Sequence, residues 1–418
     1  MQAVVLAGGY SSRFYPYSQL GHKTMVKIMG KPILEYTLEG LKEAGIKDVI
    51  IRVSEDGIIK SYFGNGSKLG ISIRYIEQKE ALGMGEVLLN AEKFLTGNFI
   101  LIGGNHVNCK ELTRELISSK KSKSKGVVLV KERENPWDYG VVEIKDGKLV
   151  RIIEKPKKGE EPSRLGLVSA FLLPKEIIGV VKKAKVYEFN LEEKVLVEYA
   201  KENALDVVVT ANDIGTLKYP WDLLALKDML MKNMKGRVDK GAKVSENAEI
   251  DSDVIVEMGA EIMEGAKIKG PSYIGKGVKI GTNALVRNGA DLEENVSIGA
   301  FAEVRNSILM EGAMIHSGFV GDSIIGRNCK IGSGFTTANK KIDRGNIEVL
   351  VKGEKVDTRL TRLGTIVGNG VKIGIRVSTM PGVVIGNNAV IGPSTSVFKN
   401  VPDDSKFYTK FAEIVEKN

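Results

Sequence analysis

The stretch YIGKGVKIGTNA, residues 273–284, decides the fold of the second half of the chain. Ile274 and Ile280 stand six residues apart, and a glycine follows each of them. A helix repeats about every 3.6 residues and a strand every second residue, so neither produces this spacing. We therefore expect a solenoid, in which each short strand turns one aliphatic side chain inward and a tight corner follows it.

The sixfold row is long. Aliphatic residues recur at this spacing from Val238 to Val304, and Met310 extends the row. After an interruption the row resumes out of phase at Ile325 and again at Val367, which predicts residues looped out of the coil. The row predicts a prism of parallel strands over residues 233–418, with strands stacked at roughly 4.8 Å per coil.

Two segments depart from the row. Residues 338–363 contain the alternating run NIEVLVKGEKV, which predicts a projecting, hairpin-like arm. Long excursions from a regular scaffold are often functional, but this arm could equally cap the edge of a neighbouring subunit. The tail DDSKFYTKFAEIVEKN, residues 403–418, predicts a short closing helix.

The first half of the chain, residues 1–232, has a different pattern. The apolar runs QAVVLAG, DVIIRVS and NFILIGG predict strands buried on both faces, and ILEYTLEGLKEAG and ELTRELISS carry apolar residues at helical spacing. This alternation predicts an α/β fold with a doubly wound parallel sheet. Ligands bind at the carboxyl ends of the strands in such sheets, and the loop LAGGYSSRFYP, residues 6–16, falls there.

Composition narrows the class of protein. The 418 residues carry a net charge of +9, but the lysines and arginines are scattered, which favours phosphate-bearing ligands over nucleic acid. No apolar run approaches the roughly 18 residues that span a bilayer. Cys109 and Cys329 are isolated, as is typical of a reducing compartment. We expect a cytoplasmic protein that binds neither membrane nor nucleic acid.

Together these motifs resemble a known family. VVLAGG, GKPILEY, DYGVVEI and IIEKP occur in that order and precede the sixfold row, as in the sugar-1-phosphate nucleotidylyltransferases. The chain is most similar to archaeal members with a C-terminal left-handed β-helix, some of which are bifunctional acetyltransferases. The resemblance implies a Rossmann-like nucleotidyltransferase domain over residues 1–232, a left-handed β-helix over residues 233–418, and a homotrimer.

The resemblance also implies the chemistry. A sugar-1-phosphate attacks the α-phosphorus of a nucleoside triphosphate with the help of Mg²⁺, and pyrophosphate leaves. Backbone amides and cations must offset the repulsion between the two anions. The family pattern assigns the triphosphate to Gly8, Gly9, Arg13 and Lys23, the nucleobase to Gln78 and Gly83, and the sugar and its phosphate to Gly140, Glu154 and Lys155.

Several positions depart from the family pattern. Ser11 replaces the second glycine of the loop, and His22 replaces the residue, commonly proline, before Lys23. Asn105 stands where the family has a Mg²⁺-binding aspartate, so the metal would be held more weakly. Val168 replaces an asparagine that contacts the sugar.

The second metal ligand has two candidates. It is Asp213 if an insertion separates DIGT from PWDLL, and Thr216 if the alignment has no gap; we favour Asp213 because four consecutive residues match. These departures suit either a divergent enzyme or a regulatory subunit that holds a nucleotide sugar in complex with an active paralogue.

The β-helix carries a second candidate site. His316 occupies the position of the general base in amino-sugar-1-phosphate acetyltransferases, which use acetyl-CoA, and Asn339 matches an asparagine near their substrate. Phe319 replaces the family tyrosine. His316 also falls on the sixfold row, so a structural histidine inside the prism is the alternative.

Overall fold

The computed structural model describes residues 1–9, 11–55, 57–77, 83–145, 147–184, 191–412 and 414–416. Its contacts group the chain into two compact units. The first comprises Met1–Tyr10 and Pro32–Gly215, and the second comprises Ser11–Lys31 and Thr216–Asn418. Residues 11–31 and 216–232, which the sequence-based division assigns to the first domain, therefore group with the second unit.

The first unit is built on a mixed sheet, which has nine strands in the described part of the chain. Its strands are β1 Gln2–Ala7, β2 Asp48–Val53, β3 Ser72–Glu77, β4 Phe99–Gly103, β5 Gly126–Glu132, β6 Gly140–Lys145, β7 Lys148–Glu154, β8 Leu165–Leu173 and β9 Leu205–Val209. They lie in the order β3-β2-β1-β4-β8-β5-β9-β7-β6.

The predicted parallel sheet is correct for only part of this order. Strands β3, β2, β1 and β4 are parallel, and so are β5 and β9. Strand β8 is antiparallel to both β4 and β5, and β6 is antiparallel to β7. Strand β7 is also antiparallel to β9, so the fold is α/β with two antiparallel strands, β7 and β8, which apolar runs alone do not distinguish.

Helices cover the sheet of the first unit. They are α1 Ile33–Glu43, α2 Ile58–Phe63, α3 Met84–Ala91, α4 Cys109–Ser118, α5 Ile177–Ala184 and α6 Val197–Glu202. Helix α1 buries Leu34, Leu38 and Leu41, which share one face. A Cβ at Gly40 would lie 2.8 Å from the Cβ of Cys109, so α1 and α4 pack closely because this residue is glycine. No described helix is long and apolar enough to cross a membrane.

The second unit contains helix α7, Asp222–Met231, and a parallel β-helix of three sheets. One sheet contains Arg237–Val238, Val254–Val256, Ser272–Ile274, Ala290–Leu292, Ile308–Leu309, Ile324–Ile325, Ile366–Val367 and Val384–Ile385. The next contains Lys243–Val244, Glu261–Ile262, Lys279–Ile280, Ser297–Ile298, Met314–Ile315, Lys330–Ile331, Lys372–Ile373, Val390–Ile391 and Lys406–Phe407. The third contains Glu249–Ile250, Lys267–Ile268, Leu285–Arg287, Glu303–Arg305, Gly318–Gly321, Phe335–Thr337, Ser378–Thr379 and Ser396–Val397.

The prediction of a solenoid is confirmed, but the cause of the first phase shift is not the predicted one. Ile274 pairs with Leu292, 18 residues on, whereas Leu292 pairs with Leu309 after 17 residues and Leu309 with Ile325 after 16. These coils are shortened rather than carrying looped-out residues. Leu309, not Met310, consequently takes the inward position.

The arm is an antiparallel hairpin inserted into one coil. Ile331 and Ile373 pair across a gap of 42 residues that encloses Glu348–Val351 and Glu354–Asp357. The hairpin does not simply project, because Val349 is buried and its Cγ2 lies near Gly382 of the next coil.

The described residues of the tail do not form the predicted closing helix. Phe411 and Ile414 are 66% and 82% exposed, so this segment has no surface against which a helix could bury an apolar face.

Candidate functional site

The loop after β1 requires its two glycines for different reasons. A Cβ on Gly8 would lie 1.9 Å from Nη1 of Arg52, so only glycine leaves room for this guanidinium. Gly9 has a φ of 138°, which side chains rarely adopt, and its amide donates to Oγ of Ser54 at 3.3 Å. The loop therefore lies directly on two polar residues at the carboxyl end of β2.

Arg52 is a functional candidate that the sequence motifs do not reveal. Its side chain is 6% exposed, which is unusual for an arginine. The signal in the sequence is the single charged residue inside the apolar run DVIIRVS. The Arg52 guanidinium therefore lies buried beneath the backbone of this glycine loop.

In the second unit, Ser11 keeps the backbone conformation that a glycine would adopt. Its φ is 46°, in the left-handed region, and its Oγ accepts from the backbone N–H of Lys23 at 3.2 Å. The Ser11 hydroxyl proton remains able to donate to an anion. His22 is buried, and its Nδ1 lies 2.8 Å from Oγ1 of Thr24, so it orders the turn that carries Lys23.

Lys23 lies in a partly desolvated, charged cluster of the second unit. Burial lowers the pKa of Lys23, and the nearby cations of Arg13 and Lys218 lower it further, while Asp222 opposes this shift. The Lys23 ammonium donates to the carbonyl oxygen of Leu217. The Arg13 side chain is exposed. The two predicted cations are thus close enough to interact electrostatically.

Asp222 is a second residue that the motifs do not single out. Its Oδ2 accepts from the backbone N–H groups of Lys218 and Tyr219, at 2.5 and 2.9 Å. Burial raises the pKa of Asp222 to about 6. This carboxylate fixes the chain at the start of α7 and balances part of the charge around Lys23.

The loop after β4 carries the first predicted metal ligand. Asn105 is partly buried, with its Oδ1 close to Gly103. Asn108, in the same loop, donates from Nδ2 to the carbonyl oxygen of Asp213 at 2.7 Å. The structure therefore connects the Asn105 loop to the segment of Asp213, whose own side chain is exposed. Thr216, the alternative ligand, groups with the second unit.

The same loop contains an oxygen atom that lacks a partner. Oδ1 of Asn108 is buried without a hydrogen bond among the described residues. Buried acceptors are normally satisfied, so a water or a cation is expected at this oxygen. His106 is buried beside Asn105, and burial lowers the pKa of His106 to about 4, so its imidazole is neutral. Within the described residues there is no cluster of three His, Cys, Asp or Glu side chains.

The three predicted sugar-site residues lie together. Gly140 and Glu154 are register partners on β6 and β7. A Cβ on Gly140 would lie 3.0 Å from Oε2 of Glu154, which accounts for the glycine. Lys155 has a φ of 46° and its Nζ lies 3.1 Å from Oε1 of Glu154. Two adjacent charged residues at the end of β7 thus meet the start of β6.

The remaining predicted residues of the first unit are less informative. Gly83, with a φ of 89°, precedes α3, whereas Gln78 lies outside the described residues. Val168 is 1% exposed within β8, so its side chain belongs to the core of the sheet.

His316 is not inside the prism, so its interpretation as a buried structural residue is wrong. The neighbouring Ile315 takes the inward position, and His316 is exposed. It lines a groove of about 480 Å³ together with Ser297, Met314, Lys330 and Lys372. The cause is the shortened coils, which move the inward row back by one residue.

The residues near His316 in the sequence have other partners. Asn339 donates from Nδ2 to Oδ2 of Asp322 at 2.5 Å. Phe319 is partly exposed, and its ring lies beside Gly321. The Asn339 amide is therefore held by a carboxylate of the adjacent coil.

The chain matches known proteins along its whole length. The nucleotidyl transferase family model matches residues 2–227, a GMPPB C-terminal domain model matches residues 268–378, and the bacterial transferase hexapeptide model matches residues 364–399. A solved structure described as a glucose-1-phosphate thymidylyltransferase from Bacillus anthracis covers 56% of this chain and 96% of its own, with a TM-score of 0.50. At 23% identity, that likeness concerns the fold alone.

Curated archaeal relatives are more similar. Bifunctional protein GlmU of Methanococcus maripaludis strain C7 is 37% identical over 100% of this chain and 99% of its own length. A bifunctional sugar-1-phosphate nucleotidylyltransferase/acetyltransferase of Sulfurisphaera tokodaii is 33% identical over 96% of this chain and 98% of its own. The chain therefore belongs to the nucleotidyl transferase family, in the form that carries hexapeptide repeats.

Proposed function

We propose that this protein transfers a nucleotidyl group from a nucleoside triphosphate to a sugar-1-phosphate, forming a nucleotide sugar and pyrophosphate. The observation that carries the proposal is the loop after β1, where Gly8 lies against the buried guanidinium of Arg52. Family membership and the names of the archaeal relatives support the same reaction.

The residues have separate roles in this reaction. An oxygen of the sugar phosphate forms a bond to the α-phosphorus, and the bond from that phosphorus to the pyrophosphate oxygen breaks. Gly8 and Gly9 let the backbone approach the phosphates. Arg13 and Lys23 offset the charge of the triphosphate, and catalysis consists of positioning and electrostatic stabilisation, without a covalent enzyme intermediate.

Other residues hold the remaining parts of the substrates. Gly140, Glu154 and Lys155 bind the sugar and its phosphate, with the Lys155 ammonium facing the phosphate and the Glu154 carboxylate facing hydroxyl groups. Gly83 and Gln78 bind the nucleobase. Val168, being buried, makes no polar contact with the sugar.

The loop of Asn105 fits a hard cation. The carboxylate of Asp213, the amide oxygen of Asn105 and the unpartnered oxygen of Asn108 are the kind of donors that Mg²⁺ accepts, with water and phosphates completing the shell. When bound, Mg²⁺ neutralises phosphate charge. Because Asn105 has no negative charge, we expect weaker metal binding than an aspartate would give.

The hexapeptide pattern supports two finer assignments. We take the β-helix to be left-handed and the protein to be a homotrimer, because hexapeptide-repeat proteins of this kind commonly assemble so. Size-exclusion chromatography with light scattering tests the trimer.

Pyrophosphate release tests the reaction directly. It is measured over a matrix of nucleoside triphosphates and sugar-1-phosphates with Mg²⁺, and binding of the corresponding nucleotide sugars is measured in parallel. Turnover with one pair supports the enzyme. If nucleotide sugars bind but none of the substrate pairs is turned over, the protein is instead a regulatory subunit and the proposal is refuted.

A second activity is favoured by the exposure of His316 in a groove flanked by Lys330 and Lys372. A neutral imidazole there would take the proton from an amino-sugar-1-phosphate as its nitrogen attacks the thioester carbonyl of acetyl-CoA, and the coenzyme A thiolate leaves. Acetyl transfer is measured by thiol release. His316→Ala should abolish it and leave pyrophosphate release unchanged; unchanged acetyl transfer would remove this activity.

A further inference from the structure

The tip of the arm hairpin lies beside the phosphate-loop segment of the second unit. The Lys352 ammonium donates to Oγ of Ser12 at 2.9 Å, although 340 residues separate the two in sequence. Ser12 immediately precedes Arg13, the cation that the family pattern places on the triphosphate. A residue of the β-helix therefore contacts a loop that lies within the part of the sequence matched by the nucleotidyl transferase family.

This contact is held from the hairpin side. Ile347 and Val349 are each 1% exposed at the base of the hairpin. Oγ1 of Thr358 donates to the carbonyl oxygen of Ile347 at 2.7 Å, and Nδ2 of Asn400 donates to the carbonyl oxygen of Leu350 at 3.2 Å. These contacts fix the base and one strand, so the two-residue tip has little freedom to move away.

The contact is also held from the loop side. Tyr17 is fully buried, and its hydroxyl donates to the carbonyl oxygens of Val367 and Ile324, at 2.8 and 3.2 Å. Nδ2 of Asn387 donates to the carbonyl oxygen of Pro16 at 3.0 Å. Residues 11–31 are thereby fastened to the same coils that carry the hairpin.

The charge of Lys352 is available to a ligand. Within the described residues, neither Lys352 nor Arg13 forms an ion pair with a carboxylate, whereas Lys355 of the same hairpin lies 3.5 Å from Oε2 of Glu348. Lys352, Ser12 and Arg13 are all exposed. Because the Ser12 oxygen accepts from the ammonium, its own proton can donate outward, which gives an exposed pair of donors next in sequence to Arg13.

The backbone at Lys352 has a conformation that lysine rarely adopts. Lys352 and Gly353 form the two-residue loop of the hairpin, closed by the pair Val351 and Glu354, with φ values of 51° and 85°. Such a type I′ turn favours asparagine, aspartate or glycine at its first position. A lysine there strains the backbone, and strain retained at one position is a reason to examine the role of its side chain.

We propose that Lys352 binds the phosphates of the nucleoside triphosphate and of pyrophosphate together with Ser12 and Arg13. The inference rests on the proposed nucleotidyl transfer and adds a substrate-binding residue supplied by the β-helix. An ammonium in contact with a hydroxyl, with an arginine as the next residue of the loop, supplies the donors that the oxygens of a polyphosphate chain accept.

Calorimetric titration of the full chain with inorganic pyrophosphate tests this binding without requiring turnover. Lys352→Asn suits the turn better than lysine does, so it should fold at least as stably while removing the ammonium. We expect it to raise the dissociation constant of pyrophosphate about tenfold, the effect of losing one charge-assisted hydrogen bond. Lys352→Arg should stay within about threefold of the wild type, since it keeps the charge.

Lys355→Gln is the matched control, because it removes one positive charge from the same hairpin and should leave pyrophosphate binding unchanged. Equal pyrophosphate affinity of Lys352→Asn and the wild type would overturn the inference while leaving the proposed reaction intact. If the wild type bound neither pyrophosphate nor any nucleoside triphosphate, both would fail. A melting temperature for each variant confirms that the comparison concerns folded protein.

Discussion

The carboxyl pair of Asp291 and Glu293 gives a quantitative prediction about stability and pH. Both side chains are buried on the β-helix. Oδ2 of Asp291 accepts from the Met29 N–H at 3.0 Å, and Oε1 of Glu293 accepts from the Gly30 N–H at 2.9 Å. The second oxygen of each carboxyl group is buried without a partner among the described residues. The pair thus holds the turn that precedes Lys31 and Pro32.

The size of the pH effect on stability follows from the pKa of Asp291. Burial raises this pKa from 3.8 to about 7; the Met29 N–H and Lys227 oppose the shift, and Glu311 adds to it. Burial and Asp291 raise the pKa of Glu293, against the Gly30 N–H and Lys27. A raised pKa in the folded state means that stability is lost as pH rises from about 4 to 7, at about 1.4 kcal/mol per pH unit.

By pH 8 the ionisation of Asp291 therefore lowers the free energy of unfolding by roughly 4 kcal/mol. The variant Asp291→Asn avoids it, because the amide keeps an acceptor for the Met29 N–H without carrying a charge. The new NH₂ group has no partner, which costs on the order of 2 kcal/mol. We expect Asp291→Asn to be more stable than the wild type by roughly 2 kcal/mol at pH 8, and about as stable as the wild type at pH 5, where only roughly 1.7 kcal/mol of the wild-type stability has been lost.

Urea denaturation at the two pH values measures this difference in the effect of the substitution. Asp343→Asn is the matched control, because this exposed aspartate has a lowered pKa and its replacement should produce no gain at pH 8. A loss of stability for Asp291→Asn of equal size at both pH values would refute the reasoning, since it would mean that this carboxyl group carries the same charge at pH 5 and pH 8.

Three further substitutions test the candidate site and its support. Asn105→Asp should lower the Mg²⁺ concentration required for half-maximal pyrophosphate release about tenfold, since it adds a negative ligand, and an unchanged Mg²⁺ titration would contradict the metal assignment. Lys23→Met should lower kcat/KM for the nucleoside triphosphate at least 100-fold, as for other preorganised donors, and near-wild-type kinetics would exclude Lys23 from catalysis. Tyr17→Phe should cost about 1–2 kcal/mol in urea denaturation, because its buried hydroxyl donates to two carbonyl oxygens, whereas the exposed Tyr15→Phe should cost less.

Much of the fold could be predicted because side-chain periodicity reports which residues face inward. The sixfold row predicts a coil of short parallel strands, and the run ending at Gly8 predicts a loop at the carboxyl end of a buried strand. Periodicity failed where two neighbouring residues are both apolar. Leu309 and Met310 are equally suitable as inward residues, so the sequence does not reveal that the coils shorten there. For this reason His316, six residues after Met310, falls on the row although it lies outside the core.

The candidate site was predictable to the extent that local motifs carry it. Gly140 and Glu154 come together because a strand pair joins them, as their neighbouring motifs imply. The sequence motifs did not identify Arg52 and Asn108, because the importance of these residues arises from tertiary contacts. Arg52 matters because it packs under Gly8, and Asn108 because its amide reaches Asp213. The prediction of a closing helix was wrong for the same reason, because helical spacing of apolar residues does not by itself provide a surface on which the helix could pack.

The grouping of residues 11–31 with the β-helix has an evolutionary consequence. The chain enters the second unit, leaves it at Pro32 and returns at Thr216, so neither unit corresponds to one uninterrupted stretch of gene. A recombination event near codon 232 would separate Tyr17 from the coil whose carbonyl oxygens it binds. Exchange of the β-helix portion of the chain for that of another protein is therefore disfavoured. The N-terminal portion and the β-helix are expected to have been inherited together.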